Sequence, residues 1–283
     1  AEDGIRDDLV TGVQPCALPI LQETAALSRR LFLQLQRRPT SLVVGLLQPI
    51  LWLVLFGALF SGVPTAGMPA GMGYGRFLAA GVIVFTAFGA ALNAGLPLMF
   101  DREFGFLNRL LVAPLRSRSS IVLATVLNIA SVTLVQCLVI VLLAGVMGYG
   151  WPQGFTLPVV LLTLLLLITA MTTLSVALAF ALPGHVELLA VTLLLNLPLL
   201  FSSTALAPMA AMPAWLALIA GLNPLTFAIE PIRAAYAGTW SFTGPVLQAP
   251  YGSVSGFGCL FVLALVAFAM LLLIRPLLRR KLA

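Results

Sequence analysis

The stretch FLAAGVIVFTAFGAALNAGLPLMF (77–100) runs for 24 residues without an Asp, Glu, Lys or Arg, and DREFGFLNRLLVAPLRSRSS (101–120) follows it at once. An uncharged run of about 20 residues is what a helix needs to cross the hydrocarbon of a bilayer. The onset of charge at Asp101 marks where it leaves. Within the run, Ala87, Ala91 and Gly95 recur every fourth residue, a small-residue stripe that lets two helix backbones approach closely in lipid. The reading is a membrane-spanning helix followed by a loop in water.

Outward from this stretch the same alternation repeats. Of 283 residues, 61% are hydrophobic and 8% charged, against roughly 25% charged in a soluble domain, and the mean hydropathy is +1.10. Such a chain cannot cover itself in water. Apolar runs occupy 41–60, 77–100, 121–147, 157–182, 188–207 and 254–274, and Pro49 predicts a kink in the first of them. Ahead of it, LQETAALSRRLFLQLQRR (21–38) puts Leu27, Leu31 and Leu35 at helical spacing, with Arg29, Arg30, Arg37 and Arg38 elsewhere. That pattern predicts an amphipathic helix lying in the membrane surface. The segment 208–252 is apolar but interrupted by Pro208, Pro213, Pro224, Pro231, Pro245 and Pro250. Two short re-entrant helices, 213–221 and 224–237, suit it, because broken backbone at membrane depth is tolerated when packed on protein. The expected fold is an all-α integral membrane domain of six transmembrane helices over 40–275, with an N-terminal amphipathic interfacial helix at 21–39 and a basic tail at 276–283.

Residues 1–20 (AEDGIRDDLVTGVQPCALPI) hold four of the nine acids and lack the basic start and unbroken apolar stretch of a signal peptide. The run VTGVQPCALPI resembles translated sequencing adapter, so 1–20 is expected to be a non-native leader. Elsewhere the cations are lopsided. Four precede the first span, four lie in 101–120 (Arg102, Arg109, Arg116 and Arg118) and four in the tail (Arg275, Arg279, Arg280 and Lys281), against Arg76 and Arg233 on the other side. Because positively charged loops stay on the cytoplasmic side, both termini and the 101–120 loop are expected to be cytoplasmic, in the cell (inner) membrane, with an even number of spans. The formal charge of +6 builds no basic face interleaved with aromatics, so no nucleic-acid partner is expected.

Several chemistries are excluded by residue type. The only lysine is Lys281, near the end, so a phosphate-cradling GxxxxGKS/T loop cannot be built. One histidine, His185, cannot make an HExxH zinc site. Cys137 and Cys259 lie inside apolar runs and Cys16 in the leader, which predicts no disulfide and no metal site. The chain is not expected to be an enzyme or to hold a cofactor.

The loop 101–120 is the most informative segment. Phe104, Leu107, Leu110 and Leu111 form an apolar stripe at helical spacing, and Asp101, Arg102, Glu103 and Arg109 supply charge, which predicts a short amphipathic helix beyond the membrane. It suits an interfacial helix resting on headgroups and a coupling element inserted into a groove on a partner equally well. Three separated segments in order, PILWLVLFG (49–57), GVIVFTAFGAALNAGLPLMFDREFGFLNRLLVAPLRSRSSI (81–121) and NPLTFAIEPIRAA (223–235), strongly resemble ABC-2 type permeases of the drug-resistance and nodulation-export group, over essentially 25–280. The resemblance implies a six-helix permease, surrounded by membrane lipid, that pairs with a second permease copy as homodimer or heterodimer. It also implies two copies of an ABC ATP-binding subunit, which carry the ATP and Mg, docked on a cytoplasmic coupling helix between spans 2 and 3. By the same resemblance Asp101, Arg102, Glu103, Phe104, Gly105, Arg109, Pro114 and Arg118 are coupling candidates, with His185 and Glu187 a second contact.

Glu230 and Arg233 stand three apart on the second re-entrant helix, where they can pair. A structural ion pair pinning the re-entrant hairpin is favoured over a functional site. Asn93, Asn128 and Asn196 could line a substrate path, though interhelical bonding is the favoured reading. Trp52, Trp151, Trp215 and Trp240 read as interface anchors or packing residues. The expected function is export of an amphiphilic substrate (a drug, lipid or lipid-linked glycan) by alternating access driven by a separate ATPase. A secondary carrier usually places an ionisable residue near mid-membrane, and no Asp, Glu, Lys or Arg lies central to any predicted span. A non-transporting scaffold remains the third alternative.

Overall fold

A computed structural model of the chain describes residues 20–37, 40–60, 62, 72–105 and 119–281. Helices α1 (Ile20–Arg37) and α2 (Thr40–Leu59) come first. Next are α3 (Tyr74–Leu92), α4 (Leu96–Glu103), α5 (Ser119–Val146), α6 (Leu157–Ala181) and α7 (His185–Phe201). A pair of shorter helices, α8 (Ala214–Leu222) and α9 (Pro224–Ala237), leads to strands β1 (Pro245–Ala249) and β2 (Gly252–Ser255), and α10 (Gly256–Lys281) ends the described chain.

A helix occupies each of the six stretches read as spans. By length and apolarity, four cross a bilayer unaided: α3 with α4 taken together, α5, α6 with its 3₁₀ lead-in, and α10. The bent pair α8–α9 makes a fifth when counted as one span, and Val43–Leu59 and His185–Phe201 are shorter apolar helices. The chain is therefore a mostly helical, multi-pass membrane protein.

The second span is the hub. Its most apolar window is 83% buried, against 28% for α10. Small residues explain why: a Cβ on Gly81 would lie 2.4 Å from the Ala205 carbonyl oxygen, so the turn after α7 reaches the α3 backbone only over a glycine. Around α3 pack α2, α5, α6 and α9. The outer flanks carry exposed side chains such as Val44, Leu47, Leu55, Phe257, Phe261 and Phe268. An apolar surface of that extent is incompatible with water, and lipid is its natural solvent.

In four places the structure departs from the expected elements. The run 77–100 is not one helix, since α3 stops at Leu92 and α4 restarts at Leu96. The fifth span ends at Phe201 in a turn rather than at 207, because Ser203 and Thr204 turn the chain toward α3 and α9. The basic tail continues α10 as helix to Lys281. Finally, 245–255 forms an antiparallel hairpin, Leu247 facing Val254 and Ala249 facing Gly252, so the chain is not purely helical. The bent pair agrees with expectation to within about a residue, its axes meeting at 85°. Residues 1–19, the leader except for its last residue Ile20, lie outside the described residues.

Candidate functional site

The charged end of α4 gathers three elements. Helix α4 begins with Pro97 in its first turn and presents Asp101, Arg102 and Glu103 in its last, beyond the apolar run that ends at Phe100. Each charge finds a different partner. Asp101 accepts two hydrogen bonds from one Arg30 nitrogen, at 3.0 and 2.9 Å, tying α4 to α1. Arg102 turns the other way and donates to the carbonyls of Ala179 (2.8 Å), Leu182 (2.6 Å) and Pro183. Those are the free acceptors that any helix leaves at its C-terminus, so the guanidinium caps α6 and matches its dipole.

Glu103 closes the group. One carboxylate oxygen accepts the His185 backbone N–H at 2.7 Å and the other lies 2.7 Å from His185 Nδ1. The donated backbone N–H holds the Glu103 carboxyl below the usual glutamate range against some desolvation, and the His185 side chain and the Arg102 charge pull the same way. The same contact caps α7, whose first N–H groups have no helical partner. Phe100 stacks between Phe104 and His185, at ring separations of 6.1 and 5.3 Å. Phe104 is 80% exposed, and Gly105 turns the chain with φ of 72°, a left-handed conformation that favours glycine.

Of the sequence candidates, the structure thus brings together Asp101, Arg102, Glu103, Phe104, Gly105 and His185. Glu187 sits exposed in the first turn of α7, its carboxylate over Gly184. Arg109, Pro114 and Arg118 lie outside the described residues. Glu230 and Arg233 do pair; Arg233 is also 2.6 Å from the Thr204 carbonyl and lies over the Phe77 ring, 3.6 Å from its centroid. Asn93 bonds back to Gly89 of its own helix at 2.8 Å. The Oδ1 atoms of Asn128 and Asn196 are buried without a protein partner among the described residues.

Sequence reasoning overlooked Arg30, noted only as one charge of an amphipathic helix, and Ser175. Their partners lie 71 residues away for Arg30 and 80 and 83 for Ser175, and no local pattern reports such a pairing. Gly95 was noticed as a small residue, but not as the place where the second span breaks.

An apolar helical bundle with a charged, tightly wired cluster at one end defines a multi-pass membrane protein. The sequence profile of the ABC-2 type transporter matches residues 22–237, and the chain belongs to that family. Similar proteins include one named as a transport permease, ycf38, of Porphyra purpurea, 52% identical over 237 residues that cover 83% of this chain and 81% of the relative. Its namesake in Cyanophora paradoxa is 46% identical over 260 residues, 92% and 90% of the two chains. A protein named as a doxorubicin resistance ABC transporter permease, DrrC, of Mycobacterium tuberculosis is 28% identical over 252 residues, 85% and 84% of the two chains.

Proposed function

We propose that the chain is the membrane-spanning subunit of an ATP-driven exporter. Two ATP-binding subunits, carrying the ATP and Mg, dock on the segment that leaves α4, and a second permease copy completes the transporter. In this reading α2 and α7, although short, also cross the bilayer, giving six spans with both termini cytoplasmic and α8–α9 re-entrant from the outer side. The chain itself performs no covalent chemistry. It converts nucleotide-driven closure of its partners into alternating access.

The observation that carries the reading is the wiring at the end of α4. Asp101, Arg102 and Glu103 connect one exposed tip to α1, α6 and α7 together, as a part must that passes a push into a bundle. The substrate is amphiphilic. The open groove of about 440 Å³ on the flank of α2, lined by Leu47, Gln48, Leu51, Trp52 and Leu55 among others, offers an apolar wall with a single amide. The name of the mycobacterial relative, which refers to doxorubicin resistance, fits the same class.

The test is co-purification with a candidate ATPase, followed by transport and ATP hydrolysis measured together in vesicles. Glu103→Ala and Arg109→Ala are expected to cut transport per ATP by about tenfold, within the usual range of coupling energies, while the complex still assembles. Unchanged coupling in both variants, or transport that survives removal of the ATPase, removes this function.

A further inference from the structure

We infer that α4 moves as a branch of α6 rather than as the end of α3, with Ser175 and Arg102 as the positioning residues that make it so. The inference rests on the proposed role of the α4 tip in coupling, and it assigns the path by which a push there enters the bundle.

The second span is severed at Asn93–Gly95. The Ala94 N–H turns back to Ala91 at 3.2 Å and the Leu96 N–H to Asn93 at 3.2 Å, which leaves the Leu92 carbonyl and the Gly95 N–H outside the helical ladder. A buried orphan of either kind is costly, and one side chain satisfies both. Ser175 of α6, fully buried, donates its hydroxyl to the Leu92 carbonyl at 2.5 Å and accepts the Gly95 N–H at 2.9 Å. Contact there is backbone to backbone, since a Cβ on Gly95 would lie 2.4 Å from the Ser175 carbonyl oxygen.

Below the break, α6 and the start of α7 supply most of what holds α4, beside the Asp101–Arg30 pair to α1 and the packing of Leu98 against Val122, Val176, Phe180 and Ile274. Met99, fully buried, packs in a small apolar cluster with Ala179 and Leu188. Arg102 then staples the far end of α4 to the Ala179, Leu182 and Pro183 carbonyls. Helix α4 is therefore fastened to α6 at both ends, by Ser175 above and Arg102 below, while its link to α3 is three residues without a continuous helical ladder. Because α6 packs on α3, α5, α9 and α10, a displacement of α4 reaches the core chiefly through α6, with the Asp101–Arg30 pair a lesser tie to α1, and Asn93–Gly95 is the hinge on which α3 stays behind.

The experiment uses spin labels on the full permease in lipid, in a Cys16→Ser background. Labels replace Phe104 at the α4 tip and Phe155 at the head of α6, and a control pair joins Phe155 to Gly73 at the head of α3. In the otherwise wild-type chain the 104–155 distribution is expected to be narrow. Ser175→Ala and Arg102→Ala together are expected to widen it about twofold while leaving 73–155 narrow, because the loss of buried partners loosens a local unit before the whole fold. Arg102→Lys, which still donates to carbonyls, recovers most of the narrow distribution.

In the assembled complex, transport per ATP is expected to fall about tenfold in Ser175→Ala/Arg102→Ala. Trapping with ATP and vanadate is expected to change the distance from Phe104 to Gly73 but not that from Phe104 to Phe155. A 104–155 distribution that stays narrow in the double variant, or a trapped complex in which 104–155 shifts while 104–73 does not, overturns the inference. Because the first arm needs no ATPase, a permease that never binds one would sink the proposed function while leaving the clamp itself intact.

Discussion

Arg233 joins three parts of the molecule with one side chain. It is 3% exposed, pairs with Glu230 one turn earlier on α9, donates to the Thr204 carbonyl of the turn after α7, and lies over the ring of Phe77 of α3. The fork suits the site, because two separate guanidinium nitrogens reach Glu230 and the Thr204 carbonyl, a spread that the compact ammonium of lysine lacks. Removing one partner of a buried pair strands the other. Arg233→Ala is therefore expected to destabilise the detergent-solubilised permease by about 3 kcal/mol, whereas Glu230→Gln combined with Arg233→Met should fall within about 1 kcal/mol of wild type. Thermal unfolding of the three proteins measures both figures. A double variant as unstable as the single one would mean that the pair contributes through something other than its own charge balance.

At the scale of elements, the bend between α8 and α9 is set by Asn223. Its Oδ1 accepts the Leu225 N–H at 2.9 Å as the N-cap of α9, and its amide donates to the Leu199 and Ser202 carbonyls at 2.7 and 3.0 Å, so one side chain fixes the 85° bend against the end of α7. Asn223→Ser keeps the cap and loses the two donors, an expected cost of about 1 kcal/mol. Asn223→Asp keeps the cap as well but turns a buried carboxylate toward two carbonyl oxygens, so it is expected to cost about 3 kcal/mol. The same unfolding measurement ranks them, and an aspartate no worse than serine would show that the carbonyls are not the amide's main partners. This bend was legible in advance, since Asn followed by Pro between two apolar runs is both a stop and a start. The break at Asn93–Gly95 was not legible: the hydroxyl that completes it is on Ser175, and without it 77–100 reads as one uninterrupted helix. The hairpin also escaped, because PVLQA and GSVS are five- and four-residue pieces, the first opening on Pro245 and followed by Pro250, too short for alternation to separate from loop. At the candidate site, Glu103 and His185 entered through resemblance to a family, while Arg30 meeting Asp101 is a contact between helices that local pattern does not encode.

For the whole molecule the remaining question is which way round it sits, and the two cations that break the pattern are informative. Arg76 and Arg233 are the arginines assigned to the outer half. Neither is presented as a free loop charge: Arg76 donates to the Tyr149 carbonyl at 3.0 Å, and Arg233 is neutralised by Glu230. A cation engaged inside the fold is weak evidence about which side a loop faces, whereas the clusters before α2, after α4 and at the end of α10 are short flanking segments of the kind that set topology. The α4 tip is thus expected to face the cytoplasm and the hairpin the opposite side. Cysteine labelling decides it, because Cys137 and Cys259 are buried and Cys16 can be replaced by serine. Phe104→Cys should react with a membrane-impermeant maleimide in inside-out vesicles alone, and Ser253→Cys, on the exposed hairpin, in right-side-out vesicles alone. Labelling of both from one side would place the charged tip and the hairpin on the same face, which an exporter driven from the cytoplasm through α4 cannot accommodate.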